Sequence, residues 1–173
     1  MAQGIAKQFD RCVANIDDFI AEVILGNMER FGDKLIDNEL PNQAEFRNLT
    51  GNTLSSYGYG LYYNGSVHLI SLYEGEPAIR LKLRKGEILR NFEDYDGNIR
   101  NYFKADVDTD RGYGSETSYN FLANYTPESK FSILVTTGTE YSAYLENVLN
   151  LNVLTDGYEF SISEFMKSFK PIQ

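Results

Sequence analysis

The chain has no tryptophan, one cysteine (Cys12) and one histidine (His68) among 173 residues. A single thiol excludes an intramolecular disulfide framework. Cys12 sits within an apolar stripe and reads as a small core hydrophobe rather than a nucleophile. A Ser-His-Asp or Cys-His arrangement would have to use His68, which lies inside the strand-like "SVHLISLY", and no Gly-x-Ser-x-Gly elbow is present. Long apolar runs are also missing: none approaches the roughly 20 residues that span a bilayer. "MAQGIAKQFDRC" offers neither a signal-peptide core nor a glycine at the second position for myristoylation. The expectation is a chain folded in a reducing cytoplasm, away from membranes. Its three sequons, at Asn48, Asn64 and Asn124, are then idle. Basic residues are scarce as well. Sixteen Lys and Arg against 25 Asp and Glu give a net charge of −9, which argues against sequence-specific or generic nucleic-acid binding.

What is present is a globular composition of single-domain size, rich in Tyr (13) and Phe (11). Tyrosine combines apolar area with a polar tip, which suits surfaces half buried in contacts. The clearest periodicity comes first. Ile5, Phe9, Cys12, Val13, Ile16, Phe19, Ile20, Val23 and Ile24 recur at steps of three and four, and Met28, Phe31 and Leu35 continue them. This spacing predicts one apolar face on a long helix, bent or split at Gly26 or Gly32 and stopped at Pro41. A coiled-coil reading is weaker, because the stripe is broad and mixes aromatic with aliphatic side chains. Such a helix packs across a sheet or projects to a neighbouring subunit.

A shorter amphipathic segment over 43–58 follows, and then the pattern turns to strands. Segments 61–63 and 67–73 flank Asn64-Gly65, the strongest short hairpin signal. In "AIRLKLR" Ile79, Leu81 and Leu83 alternate with Arg80, Lys82 and Arg84. Turns at Lys85-Gly86 and Asp96-Gly97 make a meander with "EILRNFEDY" and "NIRNYFKAD". Residues 106–118 read as an exposed loop, 119–125 and 131–137 as strands, 139–149 and 158–169 as helices, with a turn at Asp156-Gly157. The fold class is α+β: one domain, 1–173, with a helical part (1–60), an antiparallel sheet (61–137) carrying an inserted meander at about 75–118, and a helical C-terminal part (138–173).

Candidate chemistry is thin. "LTGNT" has one glycine, no following lysine and a preceding helix, so it fails as a phosphate loop; Thr50 or Asn52 reads better as a helix cap. Asp106, Asp108 and Asp110 open like a calcium loop, but Arg111 stands where glycine is needed and Glu116 is one place early. Glu93, Asp94 and Asp96 are acids near a turn, without specificity for glycoside chemistry. No catalytic, cofactor or metal residue is assigned. The cations Arg80, Lys82 and Arg84 read in two ways: charge protecting an edge strand, or an inter-subunit contact with the acidic N-terminal helix of another copy.

The order of features resembles the neck and tail-completion proteins of tailed bacteriophages, the minor tail component family related to the head–tail connector. The resemblance rests on a Thr-Gly-Asn box after the long helix (Thr50, Gly51, Asn52, then Leu54 and Ser55) and on a Tyr-Ala-x-Tyr-x-Glu pattern echoed by Tyr141, Ala143, Tyr144 and Glu146. Ser142 splits the Tyr-Ala pair, Asn147-Val148 replaces the family's Gly-Thr, and the middle of the chain is longer than a compact sheet needs. The resemblance implies a non-enzymatic subunit of a homo-oligomeric ring in the virion. Such a ring joins head to tail beside portal, connector or tail-tube proteins. The alternative is a soluble monomeric binding module, of immunity or anti-defence type, that occupies a charged protein partner. A third reading, a carboxylate hydrolase, requires a concave pocket with acids of raised pKa.

Overall fold

The computed structural model describes residues 2–43, 52–74, 83–93, 97–106, 108, 111–139, 142–149, 151 and 153–168. The chain is α+β. It opens with α1 (Ala2–Lys34), about 50 Å long at 1.5 Å per residue. A π-helical turn (Leu35–Glu39) and a short α2 (Leu40–Gln43) follow without a break. Then come α3 (Asn52–Ser55), β1 (Tyr57–Tyr63), β2 (Ser66–Leu72), β3 (Ile88–Glu93), β4 (Ile99–Lys104), α4 (Arg111–Asn124), β5 (Phe131–Thr137), α5 (Ser142–Asn147) and α6 (Thr155–Ser168).

The helix departs from its sequence reading at three points. Pro41 does not stop it: Leu40 keeps helical angles, and its amide bonds to the Leu35 carbonyl five residues back. The wider π turn makes room for a pyrrolidine ring that would strike the carbonyl four residues back in a regular helix. Gly32 does not split it either. A Cβ there would lie 2.6 Å from the Tyr59 ring, so the glycine lets helix and sheet touch. Finally, the apolar residues do not form one face. The buried hydrophobic residues of α1 are Ala21, Leu25, Met28 and Phe31, and Leu35 and Ile36 of the π turn continue them. At 100° per residue this line lies on the order of 150° around the axis from that of Ile5, Phe9, Cys12, Ile16 and Phe19.

β1 is the centre of a three-stranded antiparallel sheet of order β2-β1-β5. Its hairpin with β2 turns at Asn64 and Gly65, both at positive φ (52° and 75°), as a two-residue hairpin turn requires. The strand starts at residue 57, earlier than alternation of hydrophobicity suggested. Tyr57, Tyr59 and Leu61 turn one face into the core with Met28, Phe31, Leu35, Ile36, Leu40 and Val153. Phe165 of α6 closes this side, its ring 4.6 Å from that of Phe31.

The opposite face of β1 packs on α4, where Tyr62 donates to the Leu122 carbonyl (2.7 Å). α4 corrects the sequence reading, which placed a loop over 106–118 and a strand over 119–125. The sheet is therefore covered by helices on both sides. Asp156-Gly157 likewise belongs to the first turn of α6. The meander is seen as the β3–β4 hairpin; residues 75–82 lie outside the described residues, while Leu83 and Arg84 are not in a strand.

Candidate interaction surface

The two family-like boxes can be followed from the residues upward. Thr50, Gly51 and Tyr141 lie outside the described residues, as does the side chain of Tyr144. Asn52 is buried at the head of α3 and donates from Nδ2 to the Asp108 carbonyl (3.1 Å). Ser55 and Ser56, just after it, receive α4: Ser115 donates to the Ser55 carbonyl (2.7 Å) and Ser118 to the Ser56 carbonyl (2.5 Å). The Ser56 hydroxyl also meets Thr137 (2.6 Å), Thr137 meets Ser142 (3.2 Å), and Ser142 meets Thr139. Residues beside the two boxes thus meet in one largely buried hydroxyl cluster that ties the end of α3 to α4, β5 and the start of α5. Such hydroxyls are tolerated inside because they find partners. This cluster went unrecognised in the sequence, although "LSSYG", "GSETS" and "TTGTEYS" are all rich in Ser and Thr.

Glu146 has a definite structural role. Its Oε2 accepts the amides of Val153 (2.5 Å) and Leu154 (3.0 Å), and its Oε1 accepts that of Thr155 (2.9 Å). The carboxylate holds the start of α6, where amides lack intrahelical partners. Partial burial works against its charge, but the Thr155 side chain and these three amides outweigh it and hold its pKa below the usual 4.5. Glu146→Ala is expected to destabilise the fold by about 2–3 kcal/mol in chemical denaturation, because three amides lose a charged acceptor. The wild-type contribution is present above pH 4.5 and falls away as pH drops through the depressed pKa. The variant should lack that acid-dependent loss.

Among the described residues the members of the two boxes are not gathered at one point, and the remaining candidates are dispersed as well. Ala143 is exposed on α5. His68 is exposed on β2. Glu93 is exposed at the end of β3, and Asp94, Asp96 and Asp110 are outside the described residues. Asp108 is a tie point: its Oδ1 accepts the Lys85 amide (2.7 Å). Among the described residues no group of three or more His, Cys, Asp or Glu is placed to hold a metal ion, and no helix is long and apolar enough to cross a membrane. Arg80 and Lys82 lie outside the described residues; Arg84 is exposed at the turn before β3, where its amide donates to Glu87 Oε2 (2.7 Å).

Two exposed apolar surfaces stand out instead. Residues 5–20 of α1 are exposed throughout, with Ile5 and Phe9 each 68%, Ile16 58% and Phe19 53% accessible. Cys12, expected in the core, is exposed with them. The reason is the change of face: the helix becomes buried only from Ala21 onward, and on another side. The second surface is the β3–β4 hairpin. Leu89, Phe92, Arg100 and Phe103 are half-buried, while Ile88, Ile99 and Tyr102 are exposed beside Arg90 and Lys104. A two-stranded hairpin alone is marginal in water, and exposed apolar patches of this kind mark interaction sites. No protein-family model, curated protein or solved structure matches this chain.

Proposed function

We propose that the chain is a non-enzymatic structural subunit of a tailed-bacteriophage neck or tail-completion ring. In this reading it joins head to tail by assembling with copies of itself and with adjacent virion proteins. The observation that carries the reading is the apolar stripe over residues 5–20, which the described residues leave uncovered. Singly scattered apolar side chains need no explanation, but a continuous row along about four helical turns does. The hairpin supports the same reading. Arg84, Lys85, Arg90 and Lys104 are exposed around it, whereas α1 carries Asp10, Asp17, Asp18 and Glu22 beside its stripe. Unlike surfaces of opposite charge on one chain are what a head-to-tail ring contact uses.

The test is mass spectrometry of purified virions from a phage that encodes the chain. Peptides of the chain at a stoichiometry of several copies per particle are expected. Absence from the virion, with a stable one-to-one complex with another protein in its place, would overturn the reading in favour of a monomeric binding module.

A further inference from the structure

The exposed stripe has a spacing that specifies more than stickiness. Ile5, Phe9, Cys12, Ile16, Phe19 and Val23 follow steps of four, three, four, three and four, the alternation of a coiled-coil seam. Phe9, Ile16 and Val23 take one seam position (a), and Ile5, Cys12 and Phe19 the other (d). The row flanking d (position e) is apolar, with Ala6, Val13 and Ile20; the row flanking a (position g) is polar, with Gln8, Asn15 and Glu22.

We infer that two copies of the chain pair through residues 5–23 of α1, the helices running antiparallel about a two-fold axis near residue 14. An antiparallel pair sets a against d. Phe9 then meets Phe19 of the second copy, Cys12 meets Ile16, and Ile5 meets Val23. The same alignment faces the apolar flank with itself, Ala6 against Ile20 and Val13 near its own copy, and the polar flank with itself. A parallel pair sets Ala6, Val13 and Ile20 against Gln8, Asn15 and Glu22, burying polar groups against apolar ones. The antiparallel direction also sets the two helix dipoles against each other, which a parallel pair does not. The exposed apolar strip is on the order of 600 Å² per copy, so that a pair covers about 1,200 Å², where stable specific interfaces begin.

The pairing goes beyond the ring reading and does not depend on it. A two-fold contact is closed, whereas a ring contact is heterologous, so the pair is a state of the free chain that covers the stripe.

The test combines sedimentation with disulfide trapping, using Cys12, the chain's sole cysteine, as its own probe. The wild-type chain is expected to sediment as a dimer. Phe9→Glu should weaken the dimer at least 100-fold. Phe9 is exposed and outside the core cluster, so the variant's unfolding midpoint as a monomer should match that of the dissociated wild type. In the antiparallel pair the two Cys12 residues are offset by about 6 Å along the axis at a helix separation of 8–10 Å, beyond disulfide reach. Ile16→Cys places a thiol opposite the native Cys12 and is expected to cross-link on mild oxidation, while the wild type is not. Efficient cross-linking of the wild type would overturn the antiparallel alignment. A wild-type monomer at high micromolar concentration would overturn the pairing altogether. Either failure leaves the ring reading standing, since that is decided by the contents of virions.

Discussion

Gly138→Ala is expected to cost the fold about 3 kcal/mol or more, at the upper end of overpacking effects, and to abolish cooperative unfolding in the weakest backgrounds. Gly138 follows β5, where the chain crosses α4. A Cβ there would lie 2.6 Å from the Ser118 amide nitrogen and closer still to the Gly114 carbonyl oxygen. Both obstacles are backbone, so neither can swing aside as a side-chain tip would. Relief requires α4 to shift away from β5, which pulls Ser118 from the Ser56 carbonyl and loosens the buried hydroxyl cluster. Gly26→Ala is the matched control. A Cβ at Gly26 meets nothing within 4 Å, and alanine in a helix interior is favoured over glycine by about 0.5–1 kcal/mol. Urea denaturation should thus move the two variants in opposite directions. A neutral Gly138→Ala would mean that the contact of α4 with β5 is not as described.

The second large effect is expected in alkali. Tyr57, Tyr59 and Tyr62 have their pKa values pushed above the usual 10, first by burial. The Glu146 charge adds to this at Tyr57, the Asp33 carboxylate at Tyr59 and Tyr125 at Tyr62. All three rings are fully buried, and each hydroxyl donates to a fixed acceptor: the Val153 carbonyl, Asp33 Oδ1 and the Leu122 carbonyl. Above pH 10 the unfolded chain releases these protons and the folded chain keeps them. Stability that is complete below about pH 10 then falls by about 1.4 kcal/mol per pH unit for each of Tyr57 and Tyr59, or about 3 kcal/mol per unit for the two, and Tyr62 adds to the fall in the same direction. These three should ionise in one step that coincides with loss of circular dichroism. Tyr59→Phe should make the alkaline fall shallower by about 1.4 kcal/mol per pH unit. A smooth titration of every tyrosine with the fold intact would sink the prediction.

The parts of the fold legible in the sequence were those with local causes. Asn64-Gly65 sets its hairpin by backbone angles that few other residues adopt. The three- and four-residue steps from Ile5 onward announce a helix. Spacing alone does not say what covers a stripe. The steps continue from Phe19 through Val23 and Ile24 to Met28, and the handover from an exposed face to a buried one is hidden in that overlap.

α4 was illegible for a different reason. "RGYGSETSYNFLAN" carries two glycines and several weak helix formers, with no single apolar face. Its helix is supported from outside, by the Ser55 and Ser56 carbonyls that receive Ser115 and Ser118 and by Tyr62 beneath Leu122. Gly157 misleads in the same manner. It reads as a turn beside Asp156, yet it sits in α6 with Leu40 pressed where a Cβ would be. Of the interaction surface, the apolar residues of the stripe could be read in advance, but not their exposure. The role of Glu146 was hidden because its partners are amides seven to nine residues further on, which leave no mark in residue identity.

The π turn has a consequence for chain length. Leu35 and Leu40 are five residues apart, yet both lie in the core because one wide turn brings Leu40 back over Leu35. An ordinary helix achieves the same stacking with four residues. A chain shortened by one residue between the two leucines keeps both stacked only by reverting to regular winding, which drives the Pro41 ring against the carbonyl four residues back. The same deletion inside 21–34 would rotate the sheet-facing residues by about 100° relative to the rest of the helix. The long helix is thus fixed in length at both places, by Pro41 at its wide turn and by the core-facing residues before it.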